Sequence, residues 1–306
     1  MTFLSVLAAL LAEQAWPLRE NNRPLEWYER YAVALEGSLN GGQYRHGVLA
    51  WALAAGPVLA ATAAIQYLLG EMSLVAELAW NIAVLYAAMG FRRFGREFSE
   101  IEHALRAGEL AAARDRLGKW HRGSAAELDA GEAARVAIEQ GLVASHRRMF
   151  GPIAWFIVLG PAGAVLYRAG AVLSGLWGAR NDPDFGAFGR FAARAFLWID
   201  WIPLRLTAAS FAVAGDFADA VYCWRAQASG WDPPADGIIL ASGGGALGVR
   251  LGDPLHQDDG PRYRPELGTG EEAEVEHMQQ AAGLVWRALV LWMFLIFVVS
   301  VAHALG

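Results

Sequence analysis

FAARAFLWIDWIPLRLTAASFAVAG, residues 191–215, is apolar enough to enter a bilayer yet carries Asp200, Pro203 and Arg205 near its middle. About twenty mostly apolar residues match the hydrocarbon thickness of a membrane. An ionisable residue at that depth is costly unless it is paired or faces a polar cavity. An unbroken helix does not stack residues five apart, but a kink at Pro203 would bring the Asp200 carboxylate to the Arg205 guanidinium. Two readings follow: a polar site facing the protein interior at membrane depth, or an Asp–Arg pair at the membrane surface that ends one helix.

Composition sets the class. The chain has 306 residues, 55% of them hydrophobic and 18% charged, with a mean hydropathy of +0.26. That is too apolar and too poor in charge for an ordinary soluble domain. Thirteen Trp and 34 Gly suit a membrane protein, because Trp favours the bilayer interface and Gly lets helices approach closely. The expected fold is all-α, a polytopic helical integral membrane protein. A net charge of −6 argues against nucleic acid as a partner. The single cysteine, Cys223, excludes an internal disulfide and a cysteine zinc site, and reads as a small buried apolar residue. The seven His show no metal-ligand spacing, so no metal site is expected.

Residues 1–91 read as N-terminal membrane helices. The start MTFLSVLAALLAEQAW lacks the basic residues and cleavage site of a secretory signal and reads as a retained, short membrane-embedded helix. Residues 17–47 mix Arg and Glu with Trp27, Tyr28 and Tyr31, the composition of an interfacial helical segment. Residues 48–69 and 74–91 have the pattern of a helical hairpin through the membrane. Glu77 and Asn81 share a face of its second helix, placed to bond a neighbouring helix or to face the interior.

Arg92, Arg93 and Arg96 follow directly, which puts 92–149 on the cytoplasmic side. This segment reads as helix, a break at Gly108, helix, and a third helix opened by a Ser124-x-x-Glu127 capping box. Residues 150–215 read as membrane-embedded broken helices. Gly160, Pro161, Gly163, Tyr167, Arg168 and Gly170 interrupt 151–178, and a single crossing there would carry Arg180, Arg190 and Arg194 outward. Charge therefore favours a kinked or re-entrant hairpin. Residues 216–280, rich in Gly, Pro and acid, read as a Gly-rich cytoplasmic loop region. Residues 281–306, with WRALVLWMFLIFVVSVAHAL, form the clearest transmembrane helix. Gly243, Gly245 and Gly248 satisfy G-x-G-x-x-G, but no strand–helix–strand unit surrounds them, which rejects a dinucleotide fold. What is left is a loop whose exposed backbone N–H groups could cradle an anion, or a flexible surface loop.

Several segments together resemble one family over nearly the whole chain. Ala104-Leu105, Gly108, Leu110, Ala113-Arg114 and Leu117 look like its cytoplasmic helical pair. Arg122 falls at the Arg of an Arg-Asp-Thr motif, and Glu139 sits in an Ala-Ile-Glu run. Pro152, Trp155, Pro161 and Tyr167-Arg168 repeat the next block, and Ile202-Pro203-Leu204-Arg205-Leu206 is similar to an Ile-Pro-Ala-Arg-Leu signature. Residues 245–252, GALGVRLG, look nearly identical to the family's own loop and are followed by Tyr263, Arg264 and Pro265. The family is that of the CobD/CbiB membrane proteins of cobalamin biosynthesis, which includes the AmpE branch. The resemblance implies an inner-membrane ligase that joins adenosylcobyric acid to aminopropanol or its phosphate, with ATP and Mg2+ as cofactors and a corrinoid as substrate. It implies as partners the lipid bilayer, other membrane enzymes of cobamide assembly, or a second copy of the chain. Amide formation needs a phosphate-activated carboxylate and hence cationic contacts. On this reading Glu139, Asp200 and Arg205 are the catalytic candidates, and Arg122, Arg168, Gly243, Gly245, Gly248, Arg250 and Gly252 the substrate-binding ones.

The departures from the family pattern are mostly acidic positions. Gly123-Ser124 stand for Asp-Thr, Ala171 and Ser174 for Asn and Asp, Phe196 and Leu197 for a pair of Asp, and Asp200 for an Asn. Such losses remove oxygen ligands that magnesium prefers. The start of the chain, the 200–206 run and the length resemble the AmpE branch. A second expectation therefore stands beside the first: a non-catalytic membrane accessory or signalling protein that docks a partner on 92–148.

Overall fold

The computed structural model describes residues 1–15, 23–121, 125–180, 185–252 and 264–305. In chain order the helices are α1 (Thr2–Ala15), α2 (Arg23–Leu39), α3 (Tyr44–Met72), α4 (Leu74–Ala88), α5 (Phe91–Arg106), α6 (Leu110–His121), α7 (Ala130–Ser145), α8 (Gly151–Leu173), α9 (Arg190–Ala214), α10 (Phe217–Gln227), α11 (Pro234–Leu247) and α12 (Val275–Leu305). Two short strands, β1 (Val249–Arg250) and β2 (Glu271–Glu272), pair in parallel. The protein has the all-α class expected of a helical membrane protein. Four helical stretches are long and apolar enough to cross a membrane: Tyr44–Met72, Ala130–Gly178 (which turns back on itself at Gly160), Arg190–Ala214 and Val275–His303.

The chain divides into two compact units. One comprises Met1–Gly90, Arg147–Pro203 and Ile296–Gly306, and the other Phe91–His146 and Leu204–Leu295.

In the first unit α3 and α4 form the hairpin read from the sequence. Ser73 ends α3 and caps α4 by accepting from the Val75 N–H at 3.2 Å. Gln66 Nε2 donates to Glu77 Oε1 at 2.9 Å across the pair, and Asn81 is buried. The second arm is shorter than expected. Instead of running to residue 91, α4 stops after 15 residues at Ala88, about 22 Å of helix, which falls short of a ~30 Å hydrocarbon layer. The core sets small residues against rings: Ala50, Ala54 and Ala55 of α3 meet Leu173, Trp177 and Phe188. Small side chains let helices approach closely enough to fill that space.

Helix α8 breaks at Gly160 (φ 63°, ψ −150°), and Pro161 then opens the second arm, a position whose missing N–H is harmless. A Cβ added to Gly151 would overlap the Tyr167 ring, and one on Gly163 would overlap the Trp155 carbonyl oxygen. On a straight helix Gly151 and Tyr167 would lie about 24 Å apart. Residues 151–173 are therefore a helical hairpin, the alternative that charge favoured.

In the second unit α5 and α6 are separated at Gly108 (φ 75°), where the break was read. The start of α7 corrects the expected cap. The capping box is formed by Asp129 and Glu132, each bonding the other's backbone N–H, at 2.7 and 3.0 Å; Ser124 lies outside the described residues. The region 216–280 also departs from expectation. It holds two packed helices, α10 and α11, and the glycines 243–245 lie inside α11 rather than in a loop. That helix ends on Gly248 in the left-handed conformation (φ 68°, ψ 34°), which glycine adopts without strain.

Candidate functional site

Glu139 faces inward from α7 with only 3% of its surface exposed. It lies among Ala133, Ala134, Val136, Ala137 and Ile138, all buried. A carboxylate in such a place needs donors for both oxygens. Its Oε1 accepts from the Gly252 N–H at 2.8 Å and its Oε2 from the Arg264 guanidinium. Arg264 is 11% exposed and lies over the Trp231 ring at 4.9 Å, a cation–π distance.

The stretch that ends at Gly252 is built by close backbone approach. Gly252 has φ 79°, and a Cβ there would overlap the Pro265 carbonyl oxygen. A Cβ on Gly245 would come 2.6 Å from the Asp219 carbonyl oxygen and 2.8 Å from the Ala220 Cα. Gln227 grips Gly268 with two hydrogen bonds, accepting from its N–H at 2.7 Å and donating to its carbonyl at 3.0 Å.

The backbone N–H groups of Gly248, Leu251 and Gly252 are consumed internally. Gly248 donates to carbonyls of its own helix, Leu251 to the Leu267 carbonyl at 2.6 Å, and Gly252 to Glu139. This corrects the expectation of an open loop with N–H groups free to cradle an anion. A Cβ on Gly244, Gly245 or Gly252 would run into backbone, at Val249 and Gly268, at Asp219 and Ala220, and at Pro265 respectively, while Gly248 has open space around it and serves the left-handed turn. Arg250 projects from β1 and pairs with Glu272 at 3.2 Å and Glu266 at 3.6 Å.

The other candidates are distributed as follows. Asp200, 4% exposed, belongs to the first unit, where its Oδ1 accepts from the Tyr167 hydroxyl at 2.8 Å. The neighbouring Ile199 carbonyl accepts from Trp155 Nε1 at 2.8 Å, so both arms of the α8 hairpin grip α9. Helix α9 runs from Arg190 to Ala214 with Pro203 inside it. Arg205 lies in the second unit, half-buried. Arg168 lies on α8 in the first unit and lines an apolar cavity. Arg122 lies outside the described residues. Gly243, Gly245, Gly248, Arg250 and Gly252 thus gather with Glu139 in the second unit, while Asp200 and Arg168 belong to the first. Cys223 is buried as read, and burial pushes its thiol above the ordinary range.

A family model described as "CobD/Cbib protein" matches residues 6–285. The chain belongs to the CobD/CbiB family. A protein of Stutzerimonas stutzeri named cobalamin biosynthesis protein CobD is 36% identical over 300 residues, covering 96% of each chain. A protein of the same name from Chromobacterium violaceum is 36% identical over 243 residues, 76% of this chain and 78% of the relative. Another from Mycobacterium tuberculosis is 29% identical over 290 residues, 92% of this chain and 90% of the relative. No solved structure matches the chain.

With family membership in place, the residues missed from sequence stand out. Arg264 was visible only as part of a Tyr-Arg-Pro run, and 125 positions separate it from the Glu139 it binds. Trp231 and Gln227 carried no signal beyond being polar-tipped residues near turns. Tyr167 did belong to a matching block, but its hydroxyl acquires a role only when the hairpin brings it to Asp200.

Proposed function

We propose that this chain is a multi-pass inner-membrane protein of cobalamin biosynthesis that joins adenosylcobyric acid to aminopropanol or its phosphate by an amide bond. Its CobD-named relatives support this reading. The observation that carries it is the buried joint of Glu139, Gly252 and Arg264, which unites three separate segments of the family resemblance. ATP, as co-substrate, would supply the phosphoryl group that turns a carboxylate oxygen into a leaving group. Because both Glu139 oxygens are occupied by donors, its part is to position the 248–252 turn and Arg264, not to abstract a proton. Arg250, 39% exposed on that turn, would meet an anionic substrate by exchanging its pairing with Glu272 and Glu266.

Magnesium carried with ATP needs only one or two carboxylates beside the phosphates. The second reading, a non-catalytic accessory protein on the same fold, rests on the acidic family positions that this sequence replaces, Gly123-Ser124, Ala171, Ser174, Phe196 and Leu197 among them.

Growth separates the two. Expression in a strain lacking its own cobinamide synthase is expected to restore growth on cobyric acid, with cobinamide or its phosphate appearing in extracts. Normal expression without either result would assign the chain to the accessory role.

The same reading places 92–148 and 216–280 on the cytoplasmic face, following the arginines at 92–96. Ser99 and Glu271 are exposed, and native Cys223 is buried, so it adds no background. Ser99→Cys and Glu271→Cys are both expected to resist an impermeant thiol reagent in intact cells and to label after lysis. Labelling of either in intact cells would rule out a shared cytoplasmic face.

A further inference from the structure

Within the first unit, α2, α3, α4 and α8 line an open cavity of about 200 Å3 whose walls include Leu25, Tyr28, Val58, Val84, Val165 and Arg168. Its walls are almost wholly hydrocarbon, with two exceptions. Among the described residues Arg168 has no hydrogen-bond acceptor or ion pair. The Tyr28 hydroxyl is buried and also lacks a partner. Buried polar groups are ordinarily satisfied, and an unsatisfied one marks a missing group. A guanidinium in apolar surroundings calls for an anion.

Three observations choose the kind of anion. The cavity suits hydrocarbon: an apolar cavity of about 150 Å3 holds benzene, so this one takes several methylenes. Helix α2, which covers one side, has the marks of a helix lying at the membrane surface. Charged Glu26, Glu29 and Arg30 alternate with Trp27 and Tyr31, which are 69% and 40% exposed, and such rings settle at headgroup level. Beneath it the walls come from α3, long and apolar enough to span. The cavity therefore joins a cation near headgroup depth to a hydrocarbon slot.

We propose that this cavity binds an anionic phospholipid, its phosphate against Arg168 and one acyl chain inserted among α3, α4 and α8. Burial, and next to it Tyr31, raise the Tyr28 phenol well above its ordinary range, so it stays a neutral O–H able to donate to a phosphate oxygen. A bilayer supplies such a ligand continuously, and a cationic pocket between membrane helices is the usual form of its receptor.

The test uses the full chain in nanodiscs. Unmutated protein is expected to unfold at a higher temperature in phosphatidylglycerol than in phosphatidylcholine, and native mass spectrometry should find phosphatidylglycerol retained from mixed discs. Arg168→Gln should lower that retention by on the order of tenfold. Val165→Phe, which fills the slot and keeps the charge, should lower it as well. Equal unfolding temperatures in the two lipids, with equal retention by all three proteins, would overturn the proposal. So would an equal rise caused by inorganic phosphate in phosphatidylcholine discs, which would identify the ligand as a soluble oxyanion.

Discussion

Arg264→Met is expected to destabilise the protein by about 3–5 kcal/mol, because it leaves the Glu139 carboxylate buried with its charge uncompensated. Glu139 is 3% exposed, so water cannot replace the guanidinium. Glu139→Leu should be worse still. It strands the Arg264 charge and also removes the acceptor of the Gly252 N–H, which adds about 1–3 kcal/mol for an unsatisfied donor. The double variant removes both charges and should recover most of the electrostatic loss, while the Gly252 donor stays unmet. Denaturant unfolding in detergent gives the three values, and their coupling isolates the pair. Losses that simply add would show that Glu139 and Arg264 do not sense each other, and the joint proposed to organise the 248–252 turn would be abandoned.

The sequence made the helices legible where hydropathy and punctuation agreed. Gly108 separates α5 from α6 because a residue with φ 75° ends a helix cleanly, and glycine announces that conformation. Gly160-Pro161 marked the hairpin in the same way. Legibility failed where packing overrode local preference. Three consecutive glycines read as a loop because glycine disfavours helix by about 1 kcal/mol per residue. In the fold they continue α11: a Cβ on Gly245 would meet the backbone of α10 and one on Gly244 that of Val249 and of the 268 turn, while Gly243 faces the Leu142 side chain. The α7 cap was misplaced for a related reason: Ser-x-x-Glu and Asp-x-x-Glu follow within a few residues, and pattern alone does not choose between them. Of the candidate site, the resemblance supplied Glu139 and Gly252 but not their bond, since nothing local to residue 139 specifies a partner more than a hundred positions away.

Alanine at three glycines of this stretch is expected to have three different outcomes. At Gly243 the added methyl meets the Leu142 side chain, its Cδ1 at 2.6 Å, which is the far end of a side chain and not backbone. Alanine is also the better helix former by roughly 0.5–1 kcal/mol, so Gly243→Ala should fall within about 1 kcal/mol of neutral. At Gly245 the same gain is opposed by backbone, the Asp219 carbonyl and the Ala220 Cα, which cannot rotate away. Overpacking of about 1–3 kcal/mol should win there. Gly252→Ala combines a backbone clash at Pro265 with a φ of 79°, and left-handed geometry adds roughly 1–2 kcal/mol for an L side chain. It should be the most damaging of the three and should loosen the Glu139 bond as well. Thermal unfolding of the variants ranks them directly. Had these glycines formed an anion cradle, all three changes would weaken ligand binding while leaving the unliganded protein equally stable, and that result would restore the open-loop reading that the packed backbone excludes.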